Sequence, residues 1–381
     1  MADNKENKVL NVPALRFPEF TDEWHKQSLG EIGETIIGLT YKPSDVVESN
    51  GTIVLRSSNI KNGVIDYSDL VRVNKPIKER IITKENDILI CARNGSQRLI
   101  GKNAIIKKED ANNTFGAFMM VYRSKDNPFI LPLLSTKRYF SQVGENLGAR
   151  INQITTSDFN GFDFYFPNSH AERAKIAELF RLIDERIATQ NKIIEKYESL
   201  IKGIRNNIIS KIKRDCIVLQ DIAVIYQPQT IASTDLTEDE YLVYGANGII
   251  GKYHSFNHEK EQICITCRGN TCGTVNFTEP KSWITGNAMV VNTDNYAKNV
   301  NKRYLFHYLS SINFNSIIPG SGQPQIVRQP LAKLKLILPV LIIQNRIAKC
   351  LDAMFAKMKN EQSFLQILQI QKSCLLSQMF I

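Results

Sequence analysis

The amino-acid sequence predicts a mixed α/β (α+β) fold in which a globular domain followed by a long helix occurs twice within 381 residues. Three observations lead to this prediction. One segment carries an unbroken heptad pattern, a second segment carries the same pattern further along the chain, and short sequence matches recur in the same order ahead of each. We therefore expect two tandemly duplicated globular domains whose helices pair as an antiparallel coiled coil.

The first long helix is predicted over residues 171–214. No proline interrupts this segment, and Gly203 is its only glycine. Spacings of four and three residues alternate along one stripe, as at the a and d positions of a heptad repeat, and only Gln190 in the stripe is polar. The stripe consists of Ile176, Phe180, Ile183, Ile187, Gln190, Ile194, Tyr197, Ile201, Ile204 and Ile208. A helix with such a stripe needs a partner that buries it.

The second long helix is predicted over residues 341–381 and has a matching stripe. Its members are Ile347, Leu351, Met354, Met358, Glu361, Leu365, Leu368, Lys372, Leu375 and Met379. Gln190 of the first stripe corresponds to Glu361 of the second, so antiparallel pairing would bring these two polar side chains together near the middle and fix the register. Lys372 is a second polar interruption. The alternative is that each helix packs separately on its own domain.

The two globular domains are predicted to span residues 1–170 and 215–340. Their duplication is indicated by ordered matches between Ile88–Arg93 and Ile263–Arg268, Gly116–Met119 and Gly286–Met289, Lys137–Tyr139 and Lys302–Tyr304, Gly148–Ile154 and Gly320–Ile326, Pro167 and Pro339, and Ile176–Ala177 and Ile347–Ala348. The offset between matches varies slightly, as loop insertions would produce. Chance gives one such match but hardly a whole series in one order.

Elements of the first domain follow from β-type runs bounded by turn residues. Residues 1–12 are expected to be disordered, and the aromatic segment Arg16–Trp24 is expected to form an anchoring turn. A helix is predicted over Leu131–Val143. Strands are predicted at Thr52–Leu55, Ile88–Cys91, Ala104–Ile106, Phe118–Tyr122 and Gly161–Phe166.

The charge balance points to a polyanionic partner. The formal net charge is +10, which favours nucleic acid first and an acidic membrane surface second. The longest apolar run, Leu336–Ile343, contains Pro339 and is too short to span a bilayer, and the polar start of the chain lacks a signal-peptide core. Seven cysteines at scattered spacing indicate reduced thiols and a cytoplasmic location.

One cysteine group invites comparison with a metal site. Cys264, Cys267 and Cys272 follow His254 and His258 closely in sequence, but a structural zinc site requires thiolates that converge. Cys264 and Cys267 fall in an alternating strand, which points their side chains to opposite faces. The sequence therefore favours buried packing thiols, and we expect no bound metal.

Catalytic motifs are not evident in the sequence. The segment Gly95–Asn103 has one residue too many for a phosphate-binding loop and lacks its Ser or Thr, while Asn127–Phe129 lacks the second proline of an adenine-presenting methyltransferase motif. Five histidines are scattered without an evident acid–base partner. We expect a chain that is not an enzyme by itself and that holds no cofactor of its own.

Loops suited to reading DNA bases recur at matching places in both domains. Arg bonds guanine bidentately, Asn and Gln bond adenine, and Lys or backbone amides hold phosphates. The candidates in the first domain are Arg56, Ser58, Asn59, Arg93, Asn94, Gln97, Arg98, Asn152 and Gln153. Those in the second domain are Tyr244, Asn247, Arg268, Asn270, Gln323, Gln325 and Arg328. Each loop alone could be a solvated turn, but the recurrence favours two reading domains on one duplex.

Four segments carry a resemblance to a known family: Arg16–Trp24 (RFPEFTDEW), Leu55–Ile60 (LRSSNI), Tyr244–Gly251 (YGANGIIG) and Gly320–Ile326 (GSGQPQI). Together with the duplicated domain–helix layout over the whole chain, they resemble the specificity subunit of type I restriction–modification systems. In the first domain, Gly148–Ile154 (GARINQI) departs from the family-like SGQP run, so the resemblance assigns no role to Arg150 and Asn152.

The resemblance implies two target-recognition domains, each reading one part of a split sequence in double-stranded DNA. It implies that the helices are spacers that form the coiled coil and dock two modification subunits. Those partners would bind S-adenosylmethionine and methylate adenine, and restriction subunits would carry ATP- and Mg-dependent translocation and cleavage. The alternatives are a DNA-acting enzyme with an unrecognised site and a structural adaptor without DNA contact.

Overall fold

A computed structural model describes residues 11–147, 152–211, 216–246, 248–318 and 324–381, without the side chain of Ile209. The chain divides into two compact units. One consists of Met1–Thr189 with Leu365–Ile381, and the other of Gln190–Phe364. Each division falls inside a long helix, so each unit contains one globular domain and a part of both helices.

The first domain consists of short strands and short helices that precede the first long helix, α5. The strands are β1 His25–Ser28, β2 Glu34–Ile37, β3 Val46–Val47, β4 Thr52–Leu55, β5 Ile60–Lys61, β6 Val64–Ile65, β7 Arg72–Val73, β8 Ile88–Cys91, β9 Asn103–Ile105, β10 Thr114–Phe115, β11 Met119–Arg123 and β12 Asp163–Phe166. The helices are α1 Leu29–Ile32, α2 Asn127–Leu133, α3 Lys137–Leu147, α4 Thr156–Asn160 and α5 His170–Lys211.

The centre of the first domain is an antiparallel sheet in the order β2-β11-β8-β9. All four residues of β8 are buried because both faces of the sheet are covered. Ile88 and Ile90 pack into one apolar cluster, whereas Leu89 and Cys91 pack into another, as the alternation of side chains along a strand requires. Strand β10 pairs parallel with β4, and β1 pairs antiparallel with β12.

The second domain is built in the same way. Its strands are β13 Cys216–Val218, β14 Val224–Tyr226, β15 Tyr241–Gly245, β16 Gly248–Tyr253, β17 Ile263–Thr266, β18 Val275–Phe277, β19 Trp283–Ile284, β20 Ala288–Asn292 and β21 Lys335–Ile337, and its helices are α6 Lys302–Leu309 and α7 Arg328–Ala332, followed by the long helix α8 Leu341–Met379. The central sheet has the order β14-β20-β17-β18, with β19 parallel to β15 and β13 antiparallel to β21. The order of the central sheet and these two pairings repeat those of the first domain, so the predicted fold class is confirmed.

Helices α5 and α8 contact each other within each unit, and in the first unit the contacts run in opposite directions along the two helices. In the first unit, the Phe180 and Phe380 rings stack with centroids 5.6 Å apart, and Lys372 Nζ lies 2.5 Å from Asp184 Oδ1. This ion pair accounts for the lysine that interrupts the second stripe. In the second unit, the Gln190 side-chain amide donates to the Glu361 carboxylate at 2.7 Å, so the two polar stripe residues meet as predicted.

The single helix predicted over Leu131–Val143 is wrong, because the structure has two helices there. Helix α2 contains Pro132 and ends at Leu133, and α3 begins at Lys137. The Thr136 hydroxyl donates to the Leu133 carbonyl at 2.7 Å and accepts from the Tyr139 N–H at 3.4 Å. Thr136 therefore closes one helix and caps the next.

No helix within the described ranges combines the length and the apolar composition that crossing a membrane requires.

Candidate nucleic-acid interface

In the first domain, the loop after β8 meets a segment that lies far away in sequence. Arg93 and Gln153 form an isolated antiparallel β-bridge. The Asn94 N–H donates to the Asn152 carbonyl at 3.3 Å, and the Asn152 side-chain amide donates to the Gly95 carbonyl at 3.1 Å. Asn152 has a φ of 53°, a left-handed conformation that Asn tolerates better than most residues. The structure thus brings together four of the predicted reading residues.

The second domain has the equivalent arrangement after β17. Arg268 and Gln325 form an isolated antiparallel β-bridge. The Gly269 N–H, one residue after Arg268, donates to the carbonyl of Pro324, one residue before Gln325, at 3.2 Å. In both domains the second residue after a buried strand is an arginine, and a glutamine pairs with it.

The surrounding hydrogen bonds establish that these two bridges are structurally equivalent. In the first domain, the Ile154 N–H donates to the Ala92 carbonyl at 2.9 Å. In the second domain, the Ile326 N–H donates to the Cys267 carbonyl at 3.0 Å. Each bond lies directly beside its Arg–Gln bridge, so the duplication includes the backbone that presents the candidate residues.

Exposed cations lie in the chain segments that form both Arg–Gln bridges. Arg93, Arg98, Arg268 and Arg328 are exposed, as are Gln97 and Asn270. Within the described ranges, no carboxylate lies within ion-pair distance of any of these four arginines. Exposed guanidinium groups without a carboxylate partner suit guanine edges or DNA phosphates.

The segment after β4 contains one exposed candidate for reading DNA bases and one that is already paired. The Asn94 side-chain amide donates to the Ser57 hydroxyl at 3.0 Å, which links this segment to the loop after β8. Ser58 is exposed. Arg56 is half-buried and forms an ion pair with Asp69 at 2.8 Å, so its charge is already partly balanced.

The prediction that Asn59 reads a base is wrong. Its side chain is fully buried. Both amide hydrogens are used, in bonds to the Asp66 and Asp69 carbonyls at 2.9 and 2.8 Å, and its oxygen accepts from the Arg56 N–H at 2.9 Å. Asn59 therefore fixes the fold of its own loop.

Tyr244 was also predicted to contact DNA, and the structure contradicts this. Only 5% of Tyr244 is exposed, and it packs with Cys264 and Ile284. Its hydroxyl accepts from the Glu279 N–H at 3.2 Å, and burial raises the pKa of that hydroxyl. Two further candidates, Asn247 and Gln323, lie outside the described residues.

The cysteines after β16 occupy separate apolar environments. Cys264 lies in the cluster with Tyr244, whereas Cys267 lies in the cluster on the other side of the sheet. Burial raises the pKa of the Cys264 thiol to about 12. Nearby, His258 Nε2 bonds the Tyr226 hydroxyl at 2.8 Å. Among the residues that the structure describes, no group of three or more His, Cys, Asp or Glu side chains is arranged to hold a metal ion.

One exposed residue near the first Arg–Gln bridge was missed by sequence reasoning. Phe118 was assigned to the start of a strand, where an apolar side chain normally points into the core. In the structure its side chain is 58% exposed, and its ring centroid lies 5.1 Å from Arg93 Cζ. The preceding Gly116, which forms part of a turn, was the available signal.

Comparison with known proteins gives a family match in both domains. The family described as the type I restriction modification DNA specificity domain matches residues 21–199 and 217–369. The type I restriction enzyme EcoprrI specificity subunit of Escherichia coli is 24% identical over 365 residues, which cover 88% of each chain. The StySPI specificity subunit of Salmonella potsdam is 26% identical over 195 residues, or 49% of this chain and 42% of that protein.

Solved structures show the same fold. The crystal structure of a type I restriction–modification S subunit from M. genitalium aligns with a TM-score of 0.65 at 16% identity, covering 97% of this chain and 99% of that one. A chain from a study of complex assembly and conformational transition in the type I system aligns with a TM-score of 0.51 at 14% identity, covering 93% and 96%. The family match occurs once in each domain, and the two matched segments together occupy more than half of the sequence. This chain therefore belongs to the type I restriction–modification DNA specificity family.

Proposed function

We propose that this chain is the sequence-specificity subunit of a type I restriction–modification complex and binds a bipartite target in double-stranded DNA. One observation carries the proposal above all others: equivalent loops of the two domains each present an exposed arginine in a β-bridge with a glutamine. Two equivalent reading loops on duplicated domains suit two half-sites on one duplex. We propose boundaries of 1–170 and 215–340 for these recognition domains.

Base reading is assigned to the exposed and half-buried polar residues around each bridge. Arginine supplies a planar fork for guanine O6 and N7, and Asn or Gln supplies a donor and an acceptor for adenine. In the first domain we assign this role to Arg93, Asn94, Gln97, Arg98, Asn152 and Gln153, with Arg56 and Ser58 at the margin. In the second domain we assign it to Arg268, Asn270, Gln325 and Arg328, and we add Asn247 and Gln323 from the sequence alone, since both lie outside the described residues.

The long helices are assigned to assembly. We propose that the stripe residues of α5 and α8 form an antiparallel coiled coil and that these helices dock two modification subunits. The half-buried positions of α8 support this, because Met354, Met358, Glu361, Leu365 and Leu368 follow heptad spacing. The chain itself would be non-catalytic and cytoplasmic. S-adenosylmethionine, ATP and Mg would bind to its modification and restriction partners.

The test is to map methylated adenine in a host genome with and without this chain, in the presence of its modification subunits. We expect one split motif to lose methylation when the chain is absent. Unchanged methylation together with intact subunit assembly would instead support an adaptor without a reading function. Methylation by the purified chain alone with S-adenosylmethionine would support an enzyme.

A further inference from the structure

Phe118 lies in a turn that is held firmly by its neighbours. The Met119 N–H donates to the Gly116 carbonyl at 2.8 Å, which closes the turn, and the Ala117 N–H donates to the Leu39 carbonyl at 2.9 Å. The Phe118 carbonyl accepts from the N–H groups of two consecutive residues, 92 and 93, at 3.0 Å each. These bonds fix the point and the direction in which the Phe118 side chain leaves the backbone.

Close backbone packing at Gly38 adds to this constraint. A Cβ atom at this position would collide with the carbonyl oxygens of Phe115 and Gly116, which form the start of the turn. Backbone atoms cannot move aside as a flexible side chain can. Gly38 is therefore required for the approach of the segment after β2 to the turn that carries Phe118.

The Phe118 ring also restrains the neighbouring arginine. Arg93 Cζ lies 5.1 Å from the ring centroid, within the range of a cation–π contact. An exposed arginine normally loses rotamer freedom when it binds. A ring beside the guanidinium group limits that freedom before binding, so Arg93 and Phe118 form a preorganised pair.

The second domain has a different residue at the equivalent position. The Cys267 N–H donates to the Asn287 carbonyl at 3.0 Å, just as the Ala92 N–H donates to the Phe118 carbonyl. Asn287 thus corresponds to Phe118, one residue earlier than the sequence match of Gly116–Met119 with Gly286–Met289 predicts. Within the described ranges, no aromatic ring lies over the Arg268 guanidinium group. The aromatic contact therefore distinguishes the first domain at a site where the two domains share their backbone.

We propose that Phe118 contacts the 5-methyl group of a thymine in the half-site bound by the first domain, next to the base pair that Arg93 contacts. This inference rests on the proposed function. In the major groove, arginine bonds guanine, and apolar side chains including Phe contact the thymine methyl group. Base pairs are stacked about 3.4 Å apart, so two groups 5.1 Å apart can reach neighbouring base pairs.

The experiment measures binding of the assembled complex with its modification subunits to duplexes carrying the mapped target. Each thymine of the first-domain half-site is replaced in turn by deoxyuridine, which lacks only the methyl group. We expect one replacement to weaken wild-type binding about four-fold, the equivalent of one buried methyl-sized group. Phe118→Ala should bind the thymine and deoxyuridine duplexes equally at that position, and Phe118→Leu should retain part of the difference.

Phe140→Ala is the matched control, because Phe140 is another exposed phenylalanine of the same domain but belongs to α3. It should retain the full deoxyuridine effect. The proposal is overturned if wild-type binding is insensitive to every deoxyuridine, or if Phe118→Ala shows the wild-type pattern. If Phe118→Ala lost the same affinity for all sequences, Phe118 would be a non-specific stacking residue, and the proposal would also fail. If the wild-type complex prefers no bipartite sequence at all, the proposed function itself fails.

Discussion

Replacement of Glu172 should destabilise the first unit strongly. Glu172 lies in the first turn of α5, and its side chain is 1% exposed. Arg16 donates to both carboxylate oxygens, at 2.6 and 2.7 Å, and the Trp24 indole donates at 3.2 Å. These contacts connect both ends of the predicted anchoring turn to the long helix.

The magnitude follows from the burial of this ion pair. Removing one partner of a buried pair costs about 3–5 kcal/mol because it leaves the other charge uncompensated. Glu172→Ala should lower the free energy of unfolding of the first unit by that amount. Glu172→Gln keeps one acceptor oxygen for Trp24 but loses the charge and the acceptor for one Arg16 N–H group, so a loss of about 1.5–3 kcal/mol is expected.

Urea unfolding followed by tryptophan fluorescence is the assay. Trp24 and Trp283 are the two tryptophans, so a Trp283→Phe background makes the signal specific to the first unit. Lys175→Ala is the control, since it removes an exposed ion pair with Glu19, and it should leave the transition unchanged. A loss below about 1 kcal/mol for Glu172→Ala, the range of exposed pairs, would refute the reasoning.

Three further predictions concern binding, assembly and pH. Arg93→Ala and Arg268→Ala should each weaken specific DNA binding by about 1–3 kcal/mol and relax one half of the motif, as measured by competition binding; a uniform loss with a shallower salt dependence would indicate phosphate contacts. Replacing Ile187 and Ile194 together by Asp should abolish co-purification with modification subunits, and normal co-purification would contradict the coiled-coil assignment. Burial lowers the pKa of His307 more than its hydrogen bond to the Asp352 carboxylate raises it. As the pH falls, the histidine is therefore protonated in the unfolded chain at a higher pH than in the folded one. The free energy of unfolding of the second unit should therefore fall as the pH drops below about 6.5. The urea concentration at the unfolding midpoint should depend less on pH in a His307→Asn variant.

Much of the fold could be predicted because its strongest signals are apolar patterns. Strands β4 and β8 have the predicted bounds, since each is a short apolar run bounded by polar turn residues. The long helices were predictable because a heptad stripe has only one regular interpretation over that length. The meeting of Gln190 with Glu361 followed from matching the two stripes.

The candidate site was predicted less well because exposure at a turn depends on tertiary contacts. Asn59 has the composition of a DNA-reading residue, yet its amide points inward to the carbonyls of its own loop. Phe118 has the composition of a core residue, yet the turn that begins at Gly116 directs it outward. Sequence periodicity carries no information on side-chain direction once the regular strand has ended.

The most direct test of the central claim is an exchange of one recognition domain. Residues 216–339 would be replaced by the corresponding segment of the EcoprrI specificity subunit, and methylated adenine would be mapped in cells that contain the modification subunits. We expect one half of the split motif to change while the half assigned to the first domain is retained. A change in both halves, or in neither, would contradict the claim that each domain reads one half-site through its own Arg–Gln bridge.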